Sequence, residues 1–136
     1  MMKSAFTLLL LFAFTISRSA QILIPMDDSQ RDHLRAYGVC YKVLNKGGTA
    51  QWLLNYRYGS FLFPYTKEDE QECQVMGVSF EVIPDAMAAG IITEISSPEK
   101  NMDAVKLEKP PKIAVYTPSN KQPWDDAVTM VLKYAD

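Results

Sequence analysis

Beyond a leading apolar block, hydrophobic and polar positions group into short runs and helical stripes that alternate along the chain. Residues 21–26 (QILIPM) form an apolar run too short for a helix and closed by polar turn residues, which predicts a strand. Asp27-Asp28-Ser29 then offers side-chain oxygens suited to capping the free N–H groups of a following helix. Ala36, Val39, Cys40, Val43 and Leu44 fall on a single helical stripe. Gly47-Gly48 ends that stripe, and residues 50–56, apolar and aromatic, read as a second strand. Strand, helix and strand in this order predict a βαβ unit with two parallel strands and a right-handed crossover.

The pattern continues with a turn at Arg57-Tyr58-Gly59-Ser60 and an apolar segment at 61–65, which Pro64 is expected to keep out of the sheet centre. Thr66 is placed to cap a helix with Glu68, Asp69 and Glu70 in its first turn, ending near Met76 at Gly77. Residues 78–83 alternate as a third strand. A helix follows over 85–95 with Met87, Ile91 and Ile95 on one face, then a polar loop to Asp103 and a short strand over 104–107.

Pro110 and Pro111 stiffen residues 108–111 into a linker. Beyond it the opening pattern returns: an apolar run at 112–116, a polar turn at 117–123 and a helix over 124–136 striped by Ala127, Val128, Val131, Leu132 and Ala135. Asp125-Asp126 there matches Asp27-Asp28 in the first unit, a weak repeat of pattern. The predicted organisation is a leader over 1–19, an α/β domain over 20–107, a linker over 108–111, and the first strand and helix of a second α/β unit over 112–136. The fold class expected is α/β, a small parallel sheet flanked by helices built from flavodoxin-like or Rossmann-like βα units. Because the second unit lacks a return strand, the chain reads as the N-terminal portion of a longer protein.

Composition refines this picture. With 136 residues, 48% hydrophobic and 22% charged, the chain has the balance of one small globular domain. A net charge of −2 gives no basic field for nucleic acid. Lys3, the apolar residues 5–16 and the small residues Ser17, Ser19 and Ala20 have the layout of a secretory signal, with cleavage favoured after Ser19. No later stretch is long enough to span a bilayer, so the reading is an exported, periplasmic or extracellular protein. Export would permit a Cys40–Cys73 disulfide, although Cys40 lies on an apolar stripe and Cys73 in a polar stretch. With one histidine and no metal-ligand spacing, neither a metal nor a cofactor is expected.

Three blocks, MDDSQRDHLRAYGVCY, WLLNYRYGSF and LEKPPKIAVYTPSNKQPWDDAVTMVLKYA, resemble a family of exported bacterial proteins labelled asparagine synthetase B. The resemblance covers nearly all of residues 22–136 and implies a longer chain. Its later part would be a glutamine-amidotransferase-like or flavodoxin-like domain beginning at residue 112. Asparagine synthetase chemistry itself is not visible: Met2 stands where an N-terminal cysteine nucleophile would, and no Ser-Gly-Gly-x-Asp-Ser phosphate loop is present.

In a parallel α/β sheet, ligands bind beyond the carboxyl ends of the strands. That places Asp27, Asp28, Ser29, Arg57, Ser60, Ser119 and Asn120 in one polar cleft, where Arg57 would grip a carboxylate or phosphate and an aspartate would act as base. The same residues also suit plain structural work, with Asp28 or Ser29 as a cap and Arg57 paired to an acid. Trp52 and Trp124 suit a sugar or peptide cleft, or a core. Two functions follow: a ligand-binding or scaffold module for a small anionic or saccharide ligand, or the front of an amidotransferase-like or hydrolase-like enzyme whose nucleophile lies past residue 136.

Overall fold

A computed structural model describes residues 19–115, together with Val128, Met130, Val131 and Tyr134 at helical positions further on. Chain order is β1 (Ala20–Ile24), α1 (His33–Asn45), β2 (Ala50–Leu54), a 3-10 turn (Tyr56–Tyr58), β3 (Ser60–Pro64), α2 (Lys67–Met76), β4 (Glu81–Pro84), α3 (Asp85–Ile95) and β5 (Asp103–Leu107). The five strands form one sheet in the order β4-β1-β3-β2-β5, and every neighbouring pair is antiparallel.

This corrects the parallel, flavodoxin-like or Rossmann-like expectation. β1 and β2 do run in the same direction, because both lie antiparallel to β3, but β3 sits between them. Its pairings Ile22↔Phe63 and Trp52↔Phe61 fill the place where a direct β1–β2 ladder would have been. The first four strands thus follow the split βαβ plan of ferredoxin-like domains, with α3 and β5 added.

Pro64 does not exclude its strand from the centre, because it is the strand's last residue. The Tyr65 N–H donates to the Ala20 carbonyl at 2.9 Å, so alternation turns the Pro64 nitrogen toward β2. The β2 register stops at Gln51↔Leu62, and the missing N–H falls beyond the paired length.

Side chains alternate across the sheet and both faces are covered. Ile22, Ile24, Phe61 and Phe63 pack with Ala36, Val39, Cys40 and Val43 of α1 and Cys73 of α2. Leu23, Leu53, Leu62 and Ile83 point the other way onto Ala88, Ile91 and Ile95 of α3. Strands buried on both faces read as unbroken apolar runs, which is also the signature of a parallel sheet.

Helix ends follow local chemistry. Thr66 caps α2, its Oγ1 accepting from the Asp69 N–H at 3.0 Å, and Gly77 closes it at φ +68°. α1 starts later than expected: Asp32, not Asp28 or Ser29, is its cap, accepting from the Arg35 N–H at 3.0 Å. β4 occupies only the last part of the apolar run at 78–83. Met87 is exposed, Ala88 taking its expected place inside. Residues 112–115 belong to no strand, and the rest of that predicted strand and its turn lie outside the described residues.

Ile22→Ala under α1 and Ile95→Ala on the buried face of α3 are each expected to lower the unfolding free energy by about 2–5 kcal/mol in urea melts. A loss confined to Ile22→Ala would show that α3 lies outside the cooperative unit.

Candidate functional site

Because β1 and β2 run in the same direction, the loops that follow them emerge at one end of the sheet. β4 runs opposite to β1 and begins there, with Glu81 opposite Leu23. Arg57 reaches across this end. Its Nε donates to Asp27 Oδ2 at 2.5 Å, its Nη1 to Glu81 Oε1 at 2.6 Å, and its Nη2 to Ser29 Oγ at 3.2 Å. Ser29 in turn donates its hydroxyl and its backbone N–H to Asp27 Oδ1. The Arg57 carbonyl accepts from the Met26 N–H, joining the two loops by their backbones as well.

The turn that carries Arg57 is conformationally costly. Asn55, Arg57 and Tyr58 all hold positive φ, at 61°, 45° and 64°, a region that costs a non-glycine residue about 1–3 kcal/mol. Four contacts hold the turn: the two Arg57 ion pairs, the Asn55 Nδ2 bond to the Asn101 carbonyl at 2.7 Å, and the Trp52 Nε1 bond to the Gly59 carbonyl at 3.1 Å.

The structure thus brings together Asp27, Ser29 and Arg57 and separates the other expected residues. Asp28 is exposed beside the cluster. Ser60 is buried and donates to the Tyr56 carbonyl at 3.0 Å, bracing the turn from within. Ser119 and Asn120 lie outside the described residues. Glu81 was not anticipated, because only the strand order brings it to Arg57. Gln30 was also missed: it is buried, donates to the Pro25 and Ser79 carbonyls, and accepts from the Ser79 N–H. A single glutamine between a turn and a helix gives no sequence signal for that role.

Electrostatics make this cluster a latch. The Arg57 guanidinium and the Ser29 hydroxyl hold the Asp27 carboxyl well below the usual carboxylate range, and the two carboxylates hold Arg57 more firmly charged. All three guanidinium nitrogens are committed within the chain, and the group of two acids and one base carries a net negative charge. Cys40 and Cys73 are free thiols, both pushed up to about 11 by burial, so neither supplies a thiolate at neutral pH. Among the described residues no cluster of histidine, cysteine, aspartate and glutamate could hold a metal ion.

A second feature lies on the α1–α2 face. A helix about 10 Å across covers roughly two strands spaced ~4.8 Å apart, so two helices leave part of a five-stranded sheet bare. Among the described residues the uncovered part is the β2–β5 side, next to α1. A groove of about 350 Å³ opens there between Tyr37, Tyr41 and Leu44 of α1 and Trp52, Phe61 and Leu107 of the sheet, with Pro111 at its edge. Its lining is almost wholly apolar. Phe61 forms the floor, meeting Tyr37 edge-on at 5.3 Å and stacking with Trp52 at 6.3 Å between centroids. Trp52 thus stands in a groove wall, with its one polar atom already bonded to Gly59.

No family model, curated protein or solved structure matches the chain. The geometry of the groove and the latch therefore carries the functional reading.

The depressed Asp27 carboxyl stabilises the fold at pH values above the unfolded-state value of about 4, and that contribution is lost as pH falls below it. The stability difference between the native protein and Asp27→Asn, read from urea midpoints, is expected to stay constant from pH 8 to about 5 and to narrow below about 4. A pH-independent difference would remove Asp27 from the latch. Iodoacetamide at pH 8 is expected to leave both cysteines unmodified in the native protein and to label both in urea. Labelling without urea would contradict their burial.

Proposed function

We propose that this chain is an exported, non-catalytic binding or scaffold module whose working surface is the aromatic groove between α1 and the β2–β5 side of the sheet. The observation that carries this is the groove's lining. Four aromatic side chains, two leucines, a proline and Cys40 surround a space at the small end of ligand-sized cavities, with almost no polar group to orient a saccharide. An apolar side chain presented by a polypeptide segment matches that lining. A small anionic ligand at the strand ends has less support, since each Arg57 nitrogen already bonds within the chain and its charge is offset by Asp27 and Glu81.

Export rests on the signal-like layout of residues 1–19. Among the described residues, no helix is long and apolar enough to cross a membrane. The proposed kinship is with the exported bacterial proteins labelled asparagine synthetase B, on the three sequence blocks quoted above. A module without catalysis agrees with the raised thiols and with the committed arginine.

Indole serves as a probe of the groove. In an NMR titration, amide signals of Tyr37, Tyr41, Trp52 and Leu107 are expected to shift at millimolar indole, while those of Asp27 and Arg57 stay in place. Glucose and inorganic phosphate are expected to shift neither set. A response confined to the Arg57 cluster, or to phosphate, would overturn the groove as the working surface.

A further inference from the structure

Two apolar features of this chain suit one another. One is the groove. The other belongs to the segment beyond the Pro110-Pro111 pair, whose sequence stripes Ala127, Val128, Val131, Leu132 and Ala135 along one helical face. At the described helical positions Val128 and Val131 the side chains are 49% and 66% exposed, and Met130 and Tyr134 are exposed as well. Exposed apolar side chains on a helix mark a face that gains free energy when covered.

We propose that residues 124–136 dock as a helix into the aromatic groove of their own chain. This rests on the reading that the groove takes apolar side chains of a polypeptide segment. Continuity favours this occupant: Pro111 lies at the groove's edge, so the chain leaves the described domain at the site itself. Residues 112–123 separate that edge from Trp124, and an extended chain of this length spans about 40 Å. The 124–136 helix would be only ~20 Å long, so the connection reaches either direction of docking. Two prolines at the exit keep the first residues from folding back as a hairpin onto β5.

The chemistry of the two surfaces matches. The stripe offers valine and leucine flanked by alanines, small enough to let the helix approach the sheet, and the groove offers ring faces and Leu107. The tyrosine hydroxyls of Tyr37 and Tyr41 belong to half-exposed side chains, where they can stay hydrated beside the docked helix. Tethering does the rest. A segment held by a short linker meets its groove at an effective concentration in the millimolar range, so a contact too weak to hold a free peptide still fills the site. Docking in this way makes the segment a competitor for whatever else the groove binds.

The test uses the full chain. Val128→Asp with Val131→Asp places charge on the stripe without touching either core, and is expected to tighten indole binding at least about threefold. In a second measurement, Tyr134→Cys carries a nitroxide, the buried native thiols being unreactive. Labelled molecules are expected to lose amide intensity at Tyr41, Trp52 and Leu107 in the same molecule. Indole binding unchanged by the aspartates, with no broadening at the groove, would overturn the docking while leaving the groove intact. Broadening seen only on isotope-labelled molecules mixed with separate nitroxide-bearing ones would overturn it by assigning the groove to a second copy. Failure of indole to bind either protein would remove the groove itself, and the docking with it.

Discussion

β3 is the strand on which the rest of the molecule depends. It holds β1 through four paired positions on one side and β2 through three on the other, and it contributes Phe61 and Phe63 to one face and Leu62 to the opposite face. α1 and α2 rest on the phenylalanines and α3 packs on the face of Leu62. β1 and β2 also carry ladders on both sides, but β3 is the strand that joins them to each other. The position of β3 between two strands of common direction also sets up the rest. It brings the β1 and β2 loops to one end of the sheet, and Arg57 joins them there.

The elements were largely legible in the sequence; their partners were not. The α1 stripe from Ala36 to Leu44, the Thr66 cap and the Gly77 stop all arise from local chemistry, and local chemistry is what a sequence displays. Strand neighbours depend on residues far apart. Two observations pointed the wrong way for physical reasons. The QILI run is apolar because helices cover both faces of the sheet, and a parallel sheet produces the same pattern. Pro64 disqualifies a strand only where its nitrogen faces a partner, and it stands two residues beyond Leu62, the last position paired with β2.

The candidate site divides along the same line. Asp27, Ser29 and Arg57 are recognisable as strand-end polar residues, and the fold does gather them. Whether such a cluster binds a ligand depends on how far its cation is already engaged, and Glu81, contributed by a strand 24 residues on, occupies the third guanidinium nitrogen. Polar residues at strand ends attract attention in a sequence, whereas Tyr37, Tyr41 and Leu107 carry no such signal and Trp52 reads equally as cleft or core. Only the mismatch between two helices and five strands turns them into a groove.

Edges decide how a sheet meets other molecules, and this one has two guarded edges. β4 is four residues long, ends in Pro84 with no N–H to offer, and passes at once into α3. β5 carries Lys106 on its exposed length, paired with Glu108, and is followed by Pro110 and Pro111. A further strand, from another copy or from a misfolded neighbour, therefore meets a proline at one border and a charge pair followed by two prolines at the other. Such edges disfavour the edge-to-edge pairing from which fibres grow.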